Sequence, residues 1–303
     1  MELRAALERA RPYLGLSYVG ESCERKIWLR FRWGAREEWT AETLKRFEDG
    51  HRTEALWIER LKLVDGLELL DTDPNTGEQW EVDCADSHSR GHMDGAILGL
   101  LQAPKTWHVF EAKCSEEKQH ASLRKAIETH GEKGSLKQWN ATYYGQAQCY
   151  MGLTGMERHY LLVSLPGGRG TPITVRTEFN KADFERLMTR ASKLAFANEP
   201  PERIGSSTFF ECRWCSFHAI CHTAVLPARN CRTCLHSSPI DNGEWRCGKF
   251  GHVLSVKDQE AGCQAQRYIP SLLTGRQQID VRADSIVYRM EDGAEWVDSG
   301  QPD

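Results

Sequence analysis

The sequence predicts an α/β fold in which helices flank a mixed central β-sheet, followed by a small cysteine-rich C-terminal domain of different character. Three observations carry that expectation. A helical periodicity is followed by several short strand-like runs, then by helix, strand, strand and helix, an order that belongs to mixed α/β sheets. From about residue 223 onward the helical periodicity fades and turn residues take over. Seven of the eleven cysteines fall between Cys212 and Cys263, and cysteines crowded in this way point to metal wherever disulfides are disfavoured.

Taken in order, residues 41–64 read as an amphipathic helix capped by Thr40 with Glu42 in its first turn. Leu44, Phe47, His51, Ala55, Ile58 and Leu61 follow helical spacing along it. Gly50, inside that helix, is unfavourable by about 1 kcal/mol relative to alanine and suggests the close approach of another group. Past the turn at Asp65-Gly66 come the strand-like runs LELL, EQWEVDCA, HMDGAIL and TWHVFEAKC, the first two separated by a turn over Asp73–Gly77. A polar stretch over 116–137 leads into a helix over 140–153. The runs HYLLVSL and ITVRTEF bracket a Pro166-Gly167-Gly168 turn, and 181–197 is again helical. The tail after Pro270 alternates polar and apolar residues and suits a hairpin through Asp292-Gly293. The expected units are 1–222 and 223–303.

The bulk numbers exclude some functions. Over 303 residues, 40% hydrophobic and 27% charged residues are ordinary for a globular chain. The charged start lacks a signal peptide's apolar core, and no run approaches the ~20 apolar residues that span a bilayer. The expectation is a cytoplasmic protein with no membrane partner. A net charge of −4 gives no global pull on nucleic acid, so DNA binding would need local patches. One candidate is Arg25, Lys26, Arg30, Arg32 and Arg36 interleaved with Trp28, Phe31 and Trp33. The other is Lys118, Arg124, Lys125, Lys133 and Lys137 ahead of Trp139. Solvated helix faces explain either patch equally well.

The chemistry concentrates in two strands. Alternation places Glu111 and Lys113 on one face of TWHVFEAKC, and His92 and Asp94 on one face of the preceding strand. Adjacent strands would bring Asp94, Glu111 and Lys113 together. Carboxylates hold hard cations such as Mg²⁺ or Mn²⁺, which stabilise the attacking and leaving oxygens of a phosphodiester. A neighbouring lysine can orient the attacking water. Glu54, on the expected buried flank of the first helix, offers a third carboxylate, and an acid buried there needs a partner or a metal. Gln146 and Tyr150 are spaced i, i+4 and face the same way. Each feature alone has an ordinary explanation, as an exposed charge pair or as unremarkable helix residues, and His51 and His92 read as structural.

Their order changes that reading. Gly50 to Glu54 in a helix, Asp94-Gly95 in a strand, Glu111-Ala112-Lys113 in the next and Gln146 to Tyr150 in the following helix together resemble the RecB-like branch of the PD-(D/E)XK nucleases. That branch includes the CRISPR-adaptation nucleases and the nuclease domain of AddB. The resemblance spans roughly residues 13–222. It implies a restriction-endonuclease-like core, with Glu54, Asp94, Glu111 and the Ala112 carbonyl as metal ligands, Lys113 as the catalytic lysine, and Gln146 and Tyr150 as the conserved helix pair. Some members of the branch carry histidine where this chain has Glu54.

The cysteines allow two partitions. Cys212, Cys215 and Cys221 form C-x₂-C-x₅-C, and with a distant thiolate such as Cys23 they suit an iron–sulfur cluster. Cys231, Cys234, Cys247 and Cys263 would then form a tetrahedral zinc site, with His236 or His252 as possible substitutes. Alternatively Cys212, Cys215, Cys231 and Cys234 have a zinc spacing, which leaves Cys221 and Cys23 without a role. In the RecB-like branch one N-terminal cysteine joins a C-terminal trio around a 4Fe–4S cluster, so the resemblance implies the first partition. Cys84, Cys114 and Cys149 read as small buried hydrophobes.

The expected function is a Mg²⁺- or Mn²⁺-dependent deoxyribonuclease carrying a 4Fe–4S cluster and Zn²⁺. The resemblance makes it an exonuclease acting on DNA ends in recombination, repair or phage DNA processing, alongside a recombination or replication protein partner. The rivals are a catalytically weak nucleic-acid-binding scaffold and a metal-bearing regulatory protein.

Overall fold

A computed structural model describes residues 11–35 and 39–300; Arg36 lies outside them. The chain enters through a two-residue strand β1 (Leu14–Gly15), helix α1 (Glu24–Phe31) and helix α2 (Ala41–Lys62). Strands β2 (Glu68–Leu70), β3 (Glu81–Cys84), β4 (Ser89–His92), β5 (Gly95–Leu98) and β6 (His108–Cys114) follow. After β6 come α3 (Glu117–Trp139), α4 (Ala141–Thr154), β7 (Arg158–Ser164), β8 (Ile173–Glu178) and α5 (Lys181–Phe196). The main sheet is five-stranded in the order β2-β5-β6-β7-β8. Only β6 and β7 run parallel in it, the other pairs being antiparallel. A parallel pair needs a crossover, and α3 with α4 supplies it.

Alternation along β6 divides the core. Val109 joins the large apolar cluster under α4 and α5, whereas Phe110 and Ala112 join a smaller one with Trp57, Ile58 and Leu61 of α2. The expected single strand HMDGAIL is instead two, because the chain passes from the sheet β1-β4-β3 into the main sheet at Met93-Asp94. Gly95 permits this step, since a Cβ there would lie 2.7 Å from the Leu70 carbonyl oxygen.

Several expectations need correction. The polar stretch 116–137 is itself helical, broken at Gly131 (φ 71°); its Lys, Glu and Ala are good helix formers and need only a narrow buried stripe, including Leu123 and Leu136. In α2 none of residues 41–52 is buried, and Phe47, His51 and Ala55 of the expected inner stripe are exposed. The helix is held from Thr53 onward, where the Thr53 hydroxyl accepts the Gly167 N–H (2.9 Å) and Trp57 Nε1 donates to Ser164 Oγ (2.8 Å). Nothing lies within 4 Å of a Cβ built at Gly50, so no close approach explains that glycine.

The first basic patch faces inward. Trp28 and Arg32 are 0% exposed, and Phe31, Trp33 and Arg25 are also buried. Lys26 and Arg30 pair with Glu21 at 2.7 and 3.1 Å. Of the second patch, Lys118, Arg124 and Lys125 are exposed, while Lys133 and Lys137 pair with Glu178 and Asp183.

The C-terminal region contributes short helices α6 (Phe210–Arg213) and α7 (His218–His222) and a three-stranded sheet of β9 (Ser237–Pro239), β10 (Trp245–Cys247) and β11 (Val253–Leu254). Helix α8 (Val256–Ala261) precedes a meander of β12 (Arg276–Arg282), β13 (Ser285–Met290) and β14 (Glu295–Asp298), in which the expected hairpin joins β13 to β14. Trp245, Leu254, Ile269 and Leu272 share one core cluster with Leu14, Trp28 and Phe31. At the joint Trp245 is fully buried against Phe31 (ring centroids 5.6 Å), with the Arg32 and Arg232 guanidinium carbons each 4.7 Å from its ring. Arg232 also lies 3.9 Å from the Trp33 ring and donates to the Phe31 and Pro12 carbonyls (2.8 Å each). Among the described residues no helix is long and apolar enough to cross a membrane.

The joint makes Trp245 a test of how the two regions hold together. Trp245→Ala should cost about 3–5 kcal/mol and lower the thermal midpoint of the protein. An unchanged midpoint would show that the joint contributes no stability.

Candidate active site and cysteine centres

Glu111 and Lys113 project from one face of β6, and the register Gly95↔Phe110 sets the bend at Asp94 beside them. Asp94 Oδ2 accepts the Ala112 backbone N–H at 2.8 Å. Lys113 Nζ forms an ion pair with Glu111 and sits 3.8 Å from Asp94 Oδ2. From α4, Gln146 Nε2 donates to Glu111 Oε2 (3.4 Å) and to the Tyr150 hydroxyl (3.1 Å), and that hydroxyl donates to the His92 carbonyl (3.0 Å). Gly91 makes room for this strut, because a Cβ there would come within 2.4 Å of the Tyr150 ring. The structure therefore brings Asp94, Glu111, Lys113, Gln146 and Tyr150 together. The His92 side chain is engaged elsewhere, 3.0 Å from Glu81, and His51 is exposed.

Electrostatics draws Glu54 into the same group. Burial, then the charge of Asp94, pushes the Glu54 carboxyl up to about 7, while Lys113 pulls it down. Glu111, 2% exposed, is likewise raised by burial and by Asp94, against the pull of Lys113. Burial alone would lower Lys113, but Glu111 and Asp94 together hold it well above its ordinary value. Carboxylates this close resist ionising together unless a cation joins them. Glu111 Oε1 is buried without a hydrogen-bond partner among the described residues, and a hard divalent ion would satisfy it. The carboxylates of Glu54, Asp94 and Glu111 are the groups suited to hold such an ion. Among the described residues no three His, Cys, Asp or Glu side chains stand in a ready-made coordination shell.

Tyr143 escaped the sequence reading. It shares the α4 face with Gln146 and Tyr150 at spacings of three and seven, and its ring lies 5.8 Å from Lys113 Nζ. The helical spacing was the available signal.

The cysteines fall into two neighbourhoods. Cys23, the cap of α1, lines one cavity of about 340 Å³ together with Cys212, Cys215 and Cys221. Burial raises all three of the C-terminal thiols, and Cys23 and Cys215 raise Cys212 further. Elsewhere burial, then Cys234, Cys263 and Cys247, pushes the Cys231 thiol up to about 12. Cys234 N–H donates to the Cys231 carbonyl (3.1 Å), and the His236 N–H to Cys234 Sγ (3.5 Å). Cys212 and Cys215 thus adjoin Cys23, and Cys231 and Cys234 adjoin Cys247 and Cys263. His252 stacks on Phe250. Cys149 is buried, whereas Cys84 and Cys114 are half-buried.

No family model and no curated protein sequence matches the chain. Among solved structures, the alkaline exonuclease LHK-Exo from Laribacter hongkongensis is 16% identical, covering 61% of this chain and 87% of its own, with a TM-score of 0.42. The same protein in complex with dAMP is 17% identical over 63% of this chain and 88% of its own, at 0.40. A phage related exonuclease from Haemophilus somnus 129PT is 15% identical over 56% of this chain and 78% of its own, at 0.39. At such low scores these likenesses carry no argument about this chain, and its reading rests on its own residues.

Proposed function

We propose that this protein is a Mg²⁺- or Mn²⁺-dependent DNA nuclease of the PD-(D/E)XK type, an exonuclease of DNA recombination, repair or phage DNA processing. The observation that carries the reading is the gathering of Glu54, Asp94, Glu111 and Lys113, with one Glu111 oxygen left unpaired in the interior. A bound divalent ion would be held by those carboxylates and the Ala112 carbonyl, and would stabilise charge on the phosphodiester oxygens. Gln146 and Tyr150 fix the Glu111 carboxylate in place. Lys113 keeps its proton beside Glu111 and Asp94, and so presents an ammonium to the attacking water or to a phosphate oxygen. A 4Fe–4S cluster at Cys23, Cys212, Cys215 and Cys221 would tie α1 to the C-terminal region. Zn²⁺ at Cys231, Cys234, Cys247 and Cys263 would supply on the order of 10 kcal/mol of folding free energy to a segment with little core of its own. None of the eleven cysteines is paired in a disulfide, which suits a cytoplasmic protein.

The decisive assay is degradation of end-labelled linear DNA, single- and double-stranded, with Mg²⁺, Mn²⁺ or chelator. Wild type should require metal, and Lys113→Ala should lose about 100-fold or more of the rate while staying folded. Cleavage that survives chelation, or an unaffected Lys113→Ala, would take this metal site out of the reaction, and no cleavage by fully metallated wild type would leave a nucleic-acid-binding scaffold.

Metal binding should depend on pH with a defined sign. Folding raises Glu54 from 4.5 to about 7, so the metal-free fold keeps a proton that the unfolded chain releases. That stability is fully present below the unfolded value and is lost as pH rises through about 7. A metal must displace the same proton. The Glu54 proton alone should make Mg²⁺ affinity rise by up to about tenfold per pH unit below neutrality, on top of the share of Glu111, and Glu54→Gln should remove that part of the slope in calorimetric titrations. An unchanged slope in Glu54→Gln would take Glu54 out of the site.

Anaerobically purified protein should be brown and contain zinc. Cys23→Ala should bleach it and keep the zinc, and Cys247→Ala should do the reverse. Both metals vanishing together in either variant would argue against two separate centres.

A further inference from the structure

Arg25 stands out in the four-cysteine cavity, and the role inferred for it rests on that cavity holding the iron–sulfur cluster. The residue lies on α1, lines the cavity beside Cys23 and Cys221, and is 5% exposed. Its Nη1 donates to the Pro201 carbonyl at 2.9 Å. Its Nε and Nη2 are buried with no oxygen or nitrogen to accept them among the described residues. Two orphan donors on a buried cation are costly unless something accepts them. Within the cavity the thiol that Arg25 reaches, by charge and by a side-chain hydrogen bond, is Cys221. Three of the other basic side chains of the lining are engaged, and the fourth, His222, packs on His218 with ring centroids 5.1 Å apart. Lys26 pairs with Glu21, Arg203 donates to Thr274 Oγ1 (2.9 Å), and His218 Nε2 donates to the Ser207 carbonyl (3.1 Å).

We propose that Arg25 donates through Nε and Nη2 to the sulfur ligands at the Cys221 corner of the cluster, and so raises its reduction potential. A cluster held by four thiolates carries net negative charge, and reduction adds to it. A fixed guanidinium fork with two N–H···S bonds favours the more negative state, as hydrogen bonds to cluster sulfurs generally do. This makes Arg25 a positioning residue for the centre. It is not a DNA contact, the role its place in the first basic patch suggested.

The test uses the full, anaerobically purified holoprotein and the variants Arg25→Gln and Arg25→Lys. Visible absorbance reads cluster content, and dithionite titration followed by electron paramagnetic resonance reads the potential. The expected result is a lower potential in Arg25→Gln and an intermediate one in Arg25→Lys. A cluster at wild-type potential in Arg25→Gln overturns the proposal. If Arg25→Gln is colourless, Arg25→Lys decides by the same criterion. If both are colourless, metal-free thermal midpoints decide. Values equal to that of wild-type apoprotein place the effect on the cluster. Lowered values make Arg25 a strap to Pro201 and sink the idea. A colourless wild type would instead mean that the iron–sulfur reading itself is wrong.

Discussion

The bond from the Ala112 N–H to Asp94 Oδ2 spans the place where the chain leaves one sheet and enters another. Asp94 occupies the bend between β4 and β5, and Ala112 sits in the central strand. The bond therefore locks the bend to the strand that carries Glu111 and Lys113. Everything else at the site is arranged around that lock. Tyr150 holds the carbonyl just before the bend, Gln146 connects Tyr150 to Glu111, and Gly91 keeps the path between them clear. A carboxylate spent on a backbone N–H is oriented before any ligand arrives, which is what a preorganised charge site needs.

Local periodicity made the centre of the site legible. A period of two put Glu111 and Lys113 on one face, and a period of four paired Gln146 with Tyr150. Neither rule could show that Met93-Asp94 is a crossing between sheets, because that depends on Gly95 passing the Leu70 carbonyl. Spacing alone asked for a distant thiolate beside Cys212, Cys215 and Cys221, with Cys23 as one candidate, and the family resemblance implied Cys23. In the fold those four cysteines line one cavity.

The sequence was least informative about charge. Arg25 and Arg32 looked like surface cations among aromatics, yet both are buried. Arg32 gives its protons to the Arg232 and Ala197 carbonyls, and its guanidinium is held down to about 9 by burial. An arginine beside tryptophans satisfies a base-stacking surface and an interior stack equally well. Only the tertiary carbonyls decide which. Helix α2 misled in the opposite sense: its apolar stripe is real, but the sheet supports only its second half.

Arg232 and Arg229, three residues apart, reach opposite ends of the described chain. Arg232 binds the Pro12 carbonyl, and Arg229 binds that of Gly300. The two ends therefore converge on one short segment beside Cys231. A pulling force applied across the ends would load these arginine bonds before it reached the five-stranded sheet. The C-terminal region would peel away first, with the strands that carry Glu111 and Lys113 still intact.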